Sequence, residues 1–257
     1  MDLSISGRVA IVTAATAGLG RAAAAALAAE GARVMVSGHR QSELDDVATA
    51  LPGVATVLAD AADADTPRRI VEQTTQMLGA PDIVVLNGPG PAPGTAAELS
   101  PELTRAAIES LLIGHQQIIE LVLPGMCERG WGRILGFGSS GVVAPIANLV
   151  ASNVGRAAFA AYLKTLASEV APRGVTVNML APGRIATDRV AQLDQAKAQR
   201  QGLSVAEISR ASQSAIPTGR YGSPDEFAAA AAFLCSAPAS YITGSLVRCD
   251  GGLIPTL

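Results

Sequence analysis

Short runs of consecutive apolar residues recur along this chain, and a longer segment of small and polar residues follows each of them. A strand that is buried on both faces is apolar at every position, whereas a strand with one solvent-facing side alternates apolar and polar residues. The continuous runs therefore predict parallel strands that are covered on both sides. These strands are predicted at residues 9–12, 34–37, 54–58, 83–86, 134–137, 175–180 and 246–249.

The segments between the runs have the sequence features of helices. Residues 21–30 are rich in alanine and precede Gly31, a residue type that ends helices in the left-handed conformation. Ser204 and Ser223 each precede a glutamate by three residues, which is the capping-box spacing of a helix start. Further helices are predicted at residues 42–50, from 66 onward, at 100–128, at 152–170 and in the polar segment before Ser204.

Strands and helices alternate along the chain with short links. Such an order produces right-handed crossovers and a parallel sheet with helices on both faces. No internal repeat, linker or low-complexity segment divides the chain. The predicted fold class is therefore α/β, a Rossmann-like doubly wound parallel sheet in a single domain over residues 1–257.

The overall composition narrows the possible functions. The chain has 257 residues, of which 49% are hydrophobic, so it can bury one large core. Its 19 Lys and Arg against 22 Asp and Glu give no basic surface for nucleic acid. The first seven residues lack the apolar run of a signal peptide, and no segment approaches the length needed to span a bilayer. We therefore expect a cytoplasmic protein without a nucleic-acid or membrane partner.

Cysteine and histidine are scarce. Cys127, Cys235 and Cys249 show neither paired nor metal-ligand spacing, and the chain has only two histidines. We expect reduced, structural thiols and no transition-metal site.

The turn after the first strand has the composition of a phosphate-binding loop. Residues 13–20 read Thr-Ala-Ala-Thr-Ala-Gly-Leu-Gly and connect a strand directly to a helix. Free amides at a helix start and the helix dipole favour an anion, and Gly18 and Gly20 let the backbone come close to it. Ala14 stands where a glycine usually opens such a turn, so the motif alone is weak evidence.

Residues that follow the strands are the other candidates, because ligands of a doubly wound sheet bind at the carboxyl ends of its strands. Ser37 and Arg40 follow the second strand, at the place where an acidic residue would hold the ribose 2′-hydroxyl of NAD. A basic residue there suits a 2′-phosphate. We therefore expect NADP(H) to be favoured over NAD(H).

Over nearly its whole length the chain resembles the short-chain dehydrogenase/reductase family. The matching motifs are residues 13–20, Asp60, residues 87–90 (Asn-Gly-Pro-Gly), residues 132–134 leading to Ser139, Pro182-Gly183 with Thr187-Asp188, and residues 241–244 ahead of 250–252. Within the family, the loop at 87–94 and the segment after Thr187 resemble those of ketoacyl reductases and sugar dehydrogenases.

The resemblance implies hydride transfer between a nicotinamide cofactor and a carbonyl or alcohol substrate. It also implies a substrate lid at residues 189–214 and a homo-oligomer, a tetramer or a dimer, built on the helices at 101–128 and 152–170 and on the last strand. The positions that the resemblance and the strand ends together assign to the cofactor are Thr13, Thr16, Gly18, Leu19, Gly20, Ser37, Arg40, Asp60, Asn87, Gly88, Pro182, Gly183 and Thr187.

The catalytic positions depart from the family's pattern. Family members use an Asn, a Ser and a Tyr-x-x-x-Lys pair, whose spacing puts both side chains on one helix face. Ungapped alignment on Ser139 places Ser152 at the tyrosine, Arg156 at the lysine and Leu111 at the asparagine. Serine is a far weaker acid than tyrosine, whose pKa is about 10, and arginine stays protonated, so the usual proton relay is interrupted. Ser139, Ser152 and Arg156 remain the catalytic candidates.

Other titratable residues do not restore the relay. Tyr162 lies about 15 Å beyond Ser152 along a helix that rises 1.5 Å per residue, and Lys164 lies farther still. His115 follows Leu111 by four residues and could act as an acid or base, although a single helix histidine is more often a packing or surface residue.

Three functions are compatible with these residues. The first is an NAD(P)-dependent oxidoreductase with an atypical site, in which Ser152 or a bound water handles the proton and Arg156 holds the cofactor ribose. The second is a non-redox enzyme on the same scaffold, similar to the halohydrin dehalogenases with their Ser-Tyr-Arg set, or a lyase or isomerase. The third is a dinucleotide-binding pseudoenzyme. The retained glycine turn and the absent tyrosine favour the first function over a dehalogenase.

Overall fold

In the computed structural model, which describes residues 1–60, 63 and 65–256, seven strands pair into one parallel sheet. The strands are β1 (Val9–Val12), β2 (Arg33–Gly38), β3 (Ala55–Leu58), β4 (Ile83–Leu86), β5 (Gly132–Phe137), β6 (Val175–Pro182) and β7 (Leu246–Cys249). Their order across the sheet is β3-β2-β1-β4-β5-β6-β7. The predicted α/β fold with a doubly wound parallel sheet is confirmed.

Helices cover both faces of this sheet. They are α1 (Gly18–Ala29), α2 (Gln41–Ala50), α3 (Thr66–Met77), α4 (Pro101–Ile108), α5 (Gly114–Glu128), α6 (Val150–Val170), α7 (Asp188–Gln201), α8 (Val205–Ser214) and α9 (Pro224–Leu234). Helices α1, α2 and α9 pack on one face, and α3, α5 and α6 pack on the other. The capping boxes predicted at Ser204 and Ser223 are both formed, at the starts of α8 and α9.

Burial on both faces explains the unbroken apolar runs. In β1, Ala10 and Val12 belong to the core on one side of the sheet, whereas Ile11 belongs to the core on the other side. Successive side chains of a strand point to opposite faces, so each face needs apolar residues of its own.

The strand order reverses at β1. Val12 pairs with Val36 of β2 on one side and with Val85 of β4 on the other. The chain leaves β1 toward β2 and β3 and then returns to β4, which opens a crevice at the carboxyl ends of β1 and β4. This crevice lies where the sequence predicts the ligand site.

The long helix predicted at 100–128 forms without a gap but changes its hydrogen-bonding pattern midway. A π-helical turn, Glu109–Ile113, joins α4 to α5. A π-helical turn holds an extra residue and changes the local backbone hydrogen bonding, which an apolar periodicity does not reveal. Other boundaries shift less: α1 begins at Gly18 instead of residue 21, so the glycine turn itself forms the first helical turn.

The continuous helical segment Pro101–Glu128 is long and apolar enough to cross a membrane by length and composition. The expectation that no segment approaches that length is therefore wrong. The core helix of a soluble protein passes the same test, and Ile118, Ile119 and Val122 of this segment pack into the core against the sheet. Other apolar side chains on it, including Leu103 and Leu121, are exposed.

Candidate active site

Hydrogen bonds from two neighbouring strands shape the turn after β1. The Thr13 hydroxyl donates to the carbonyl oxygen of Asn87 at 2.6 Å and accepts from the backbone N–H of Asn87 at 2.8 Å. Ala14 donates its N–H to Ser37 Oγ at 3.2 Å, and its carbonyl accepts from Asn87 Nδ2 at 2.9 Å. Thr13, Ser37 and Asn87, all predicted to bind the cofactor, therefore also hold the turn in place.

Ala14 adopts a left-handed conformation with a φ of +46°. This region is unfavourable for a residue with a Cβ, by about 1–2 kcal/mol. The two hydrogen bonds to its peptide groups hold Ala14 there. The sequence has alanine where a glycine usually opens such a turn. The structure shows that Ala14 still adopts the left-handed backbone conformation.

The two glycines of the turn have different roles. Gly18 has a φ of +54°, and an ideal Cβ on it would lie 3.7 Å from the Thr187 methyl group. An ideal Cβ on Gly20 would lie 2.8 Å from Ala15 Cα and 2.9 Å from Asn87 Nδ2, so no side chain fits. Thr187, which a distant motif assigns to the cofactor, therefore lies beside the predicted phosphate-binding turn. Leu19, between the glycines, packs against the core.

A cleft of about 550 Å³ opens beside this turn. Predicted cofactor residues that line it are Thr13, Thr16, Ser37, Asp60, Asn87 and Gly88. Its size, its apolar walls and the free amides at the start of α1 fit a nicotinamide dinucleotide. Pro182 and Gly183 lie at the end of β6, where an ideal Cβ on Gly183 would lie 2.6 Å from the Asp250 backbone.

Arg40, predicted to favour a 2′-phosphate, lies at an exposed position beside an acidic residue. It forms a salt bridge with Glu43, whose other carboxylate oxygen accepts from Thr16 Oγ1 at 2.9 Å. Hydrogen bonds from Arg40 and Thr16 lower the pKa of Glu43. A 2′-phosphate would therefore compete with this carboxylate for Arg40. The sequence analysis missed Glu43, although its spacing of three residues from Arg40 at a helix start favours such a pair.

Two of the three catalytic candidates, Ser139 and Arg156, lie at the carboxyl end of β5. Ser139 follows this strand, and its Oγ accepts from the backbone N–H of Gly141 at 3.0 Å. Arg156 extends from α6 and donates from Nη1 to the Phe137 carbonyl at 2.6 Å. Ser152 lies half-buried one turn earlier on α6, and its side chain makes no hydrogen bond to the described residues.

Arg156 lies in a desolvated environment. Burial, and then the positive charge of Arg189, lower the pKa of Arg156 to about 10. The guanidinium group therefore remains protonated at neutral pH. It can donate hydrogen bonds and stabilise negative charge, but it does not exchange a proton with a substrate.

His115 supports the loop after β4. Its ring packs 4.9 Å from that of Phe159, and Nδ1 and Nε2 lie 3.2 Å and 3.4 Å from the carbonyl oxygens of Leu111 and Asn87. Burial lowers the pKa of His115 to about 4, so the ring is neutral at pH 7. The ring thus lies between the π-helical turn that contains Leu111 and the loop at Asn87, and its single N–H donates to one of the two carbonyl oxygens. This arrangement favours the packing role of His115 over an acid or base role.

The predicted lid segment is anchored by a buried carboxylate. Asp194 of α7 forms a salt bridge with Arg184 and accepts from Tyr221 Oη at 2.7 Å. Thr187 forms the N-cap of α7, accepting from the Val190 N–H at 3.4 Å.

Arg189, in the first turn of α7, reaches across to the loop after β4. Its Nη2 donates to the Pro91 carbonyl at 3.1 Å. The sequence analysis missed Arg189, because its partner lies 98 residues away and no local spacing marks the pair.

Comparisons with known proteins agree with this geometry. A family model described as enoyl-(acyl carrier protein) reductase matches residues 13–254. Dehydrogenase/reductase SDR family member 4 of Sus scrofa is 33% identical over 253 residues, which cover 96% of this chain and 88% of that protein. A 3-oxoacyl-(acyl-carrier-protein) reductase of Aquifex aeolicus is 31% identical over 260 residues. The match covers 98% of this chain and 100% of that protein.

Solved structures are similar over the whole chain. L-sorbose reductase from Gluconobacter frateurii, complexed with NADPH and L-sorbose, matches with a TM-score of 0.94 and 30% identity over 100% of both chains. An actinorhodin polyketide ketoreductase with NADPH matches with a TM-score of 0.91 and 29% identity, covering 96% of this chain and 97% of its own.

Proposed function

This chain belongs to the short-chain dehydrogenase/reductase family, and on that basis we propose that it is an NADP(H)-dependent oxidoreductase acting on a carbonyl or alcohol substrate through an altered catalytic site. The family and the oxidoreductase class predicted from the sequence are confirmed. The observation that carries the proposal is the cleft at the carboxyl ends of β1 to β4, where six predicted cofactor residues meet.

The residues that would hold the dinucleotide follow from this cleft. The amides at the start of α1 suit the diphosphate, and Arg40, which follows the lining residue His39, would bind a 2′-phosphate. NADPH is present in the L-sorbose reductase and polyketide ketoreductase structures, which supports NADP(H) as the favoured cofactor. The bound nicotinamide would supply or accept the hydride.

The side chains around β5 would act on the substrate oxygen. Because Ser139 Oγ accepts from Gly141, its own hydrogen is free to donate to a carbonyl oxygen. Arg156 would stabilise the negative charge that develops on that oxygen during reduction. The proton itself would come from Ser152 or from water. General acid catalysis contributes roughly 10²- to 10⁴-fold, so we expect slow turnover without the tyrosine.

Absorbance of the nicotinamide during turnover of carbonyl compounds, combined with calorimetric titration of NADP(H) and NAD(H), tests this function. We expect NADPH to bind more tightly than NADH and to be consumed only when a carbonyl compound is present. Dinucleotide binding without turnover would indicate the pseudoenzyme. Absence of both binding and hydride transfer would contradict the proposal and favour a dehalogenase-like enzyme.

The exposed apolar residues of the outer helices support a homo-oligomer. Leu103 on α4, Leu121 on α5 and Val154 on α6 are 54%, 44% and 38% exposed. A tetramer or dimer formed on these helices, as the family resemblance implies, would cover these exposed apolar side chains. Light scattering of the purified protein measures the oligomeric state directly, and a monomer would contradict the homo-oligomer.

We also propose that the protein is cytoplasmic and that residues 189–214 form a lid over the substrate.

A further inference from the structure

The loop between β5 and α6, residues 138–149, carries the catalytic candidate Ser139 near its start. The helix that follows carries the two other candidates, Ser152 and Arg156. Residues 143–148 of the loop are exposed, so packing in the core does not hold them. The position of Ser139 relative to α6 therefore depends on the individual contacts that join the loop to this helix.

Asn153, in the first turn of α6, binds the loop through its side-chain amide. Asn153 Nδ2 donates to the Ile146 carbonyl at 2.9 Å, and Asn153 Oδ1 accepts from the Ile146 N–H at 3.3 Å. A backbone carbonyl and a backbone N–H thus fix which way the amide points. Among the described residues, no other side chain forms a hydrogen bond to residues 142–149. Asn153 is therefore the polar side chain that joins this part of the loop to α6.

The same amide packs against Gly141. An ideal Cβ on Gly141 would overlap Asn153 Oδ1 and would lie 3.3 Å from Ser139 Oγ. Only glycine lets the loop backbone come this close to the amide. Gly141 in turn donates its N–H to Ser139 Oγ at 3.0 Å. One packing contact and one hydrogen bond thus connect Asn153 to the hydroxyl that would act on the substrate oxygen.

These contacts determine where the Ser139 hydroxyl can donate. A hydroxyl has one hydrogen and two lone pairs, so a fixed N–H that occupies one lone pair restricts the direction of the hydrogen. A misplacement of about 1 Å in an active site can lower the rate by about 100-fold. A residue that holds Gly141 in place therefore affects the reaction without touching the substrate.

We propose that Asn153 is a positioning residue, which orients the Ser139 hydroxyl toward the substrate oxygen by holding Gly141 and Ile146 against α6. This inference rests on the proposed oxidoreductase function. Asn153 acts through Gly141 and does not line the dinucleotide cleft. Its place beside Ser152 in the chain means that the loop is held at the helical turn where the altered catalytic residues begin.

Amide hydrogen exchange, measured residue by residue by NMR, tests the positioning without any substrate. We expect Asn153→Ala to speed exchange at both Gly141 and Ile146 by about tenfold or more, because the loop loses its contacts with α6. Thr165→Ala is the matched control. Thr165 also donates from its side chain to a backbone carbonyl, that of Ala161, but it is exposed farther along α6. Its replacement should change neither amide.

The pattern of exchange separates positioning from simple loop attachment. Faster exchange at Ile146 with unchanged exchange at Gly141 would overturn the inference, because Asn153 would then hold only the exposed part of the loop. Equal acceleration in Thr165→Ala would overturn it too, since any lost hydrogen bond on α6 would then loosen the loop.

Kinetics tests whether the positioning serves the reaction. With NADPH and ethyl acetoacetate as the carbonyl probe, we expect Asn153→Ala to lower kcat by about 10- to 100-fold. The KM for NADPH should stay within about twofold, because the dinucleotide cleft is untouched. Thr165→Ala should leave both constants within about twofold. An unchanged kcat in Asn153→Ala would overturn the inference.

A double-mutant cycle with Ser139→Ala shows whether Asn153 acts through that serine. We expect Asn153→Ala to lower kcat by no more than about twofold when Ser139 is already alanine, because the group that it positions is gone. The same fold-loss in both backgrounds would overturn the inference, since Asn153 would then support the site independently of Ser139.

The exchange measurement separates failure of this inference from failure of the proposed function. If the wild-type protein consumes no NADPH with any carbonyl compound, the proposed function is contradicted, and exchange at Gly141 decides the positioning alone. The same measurement decides it if turnover of Ser139→Ala is too slow for the cycle. A Gly141 amide that stays protected in Asn153→Ala overturns the inference whether or not the wild type is active.

Discussion

Two arginines, the buried Arg133 and the half-buried Arg156, lie at opposite ends of β5, and their surroundings differ. At the amino end, Arg133 donates from Nε to the Ser236 carbonyl at 2.9 Å, and from Nη1 to the carbonyls of Gly132 at 2.8 Å and Gly174 at 3.4 Å. Its guanidinium also packs 4.4 Å from the Trp131 ring. At the carboxyl end, Arg156 donates to a single carbonyl, that of Phe137.

The difference separates a structural cation, Arg133, from a candidate functional one, Arg156. Burial lowers the pKa of both arginines, and neither has a carboxylate partner among the described residues. Arg133 compensates for lost hydration with backbone carbonyls and an aromatic face, so it contributes to the stability of the fold. Arg156 keeps guanidinium donors that bind no acceptor among the described residues. The guanidinium of Arg133 is therefore satisfied by acceptors within the fold, whereas that of Arg156 has one acceptor among the described residues.

The largest predicted effect compares removal of the two charges. We expect Arg133→Met to lower the free energy of unfolding by about 3 kcal/mol, because three carbonyls lose a donor. We expect Arg156→Met to change it by less than about 1 kcal/mol, since the loss of one hydrogen bond is offset by removal of a desolvated, repelled charge. Urea unfolding followed by circular dichroism measures both values. Equal losses in the two variants would refute the distinction between the two edges.

A second prediction tests the carboxyl edge through activity. Replacing Ser152→Tyr together with Arg156→Lys restores the family's proton donor and its neighbour, and we expect kcat for carbonyl reduction to rise about 10- to 100-fold. The matched control is Ser152→Phe with Arg156→Lys, which has the ring without the hydroxyl and should show no gain. If the tyrosine variant gains nothing either, the substrate site has changed together with the catalytic pair.

The smallest predicted effect concerns the backbone at the end of β1. Ala14→Gly removes the left-handed strain at a φ of +46°, so we expect stabilisation of about 1 kcal/mol, or about 3 °C in Tm. Ala17→Gly is the control, since its φ of −147° is unstrained, and it should give no stabilisation. Calorimetry measures both midpoints. A lower Tm for Ala14→Gly would show that the larger unfolded-state entropy of glycine outweighs the relieved strain.

Local sequence signals predicted most elements and part of the site. Apolar runs located the strands, and serine-glutamate spacing located the starts of α8 and α9. The π-helical turn at Glu109–Ile113 escaped prediction because apolar periodicity does not record a change in backbone hydrogen bonding. The spacing of Arg40 and Glu43 is sufficient to predict their salt bridge, whereas no local sequence pattern predicts the burial of His115.

The sequence by itself predicted the parallel strands and the glycine turn, and it made Ser152 and Arg156 the catalytic candidates, because these predictions depend on residue types and short spacings. Only the tertiary structure decided which arginine finds hydrogen-bond acceptors for most of its guanidinium donors. Arg133 meets its Ser236 partner across 103 residues of chain, and Arg189 meets Pro91 across 98. Such contacts depend on how the strands are ordered and which loops meet at a sheet edge, and no neighbouring residue records that order.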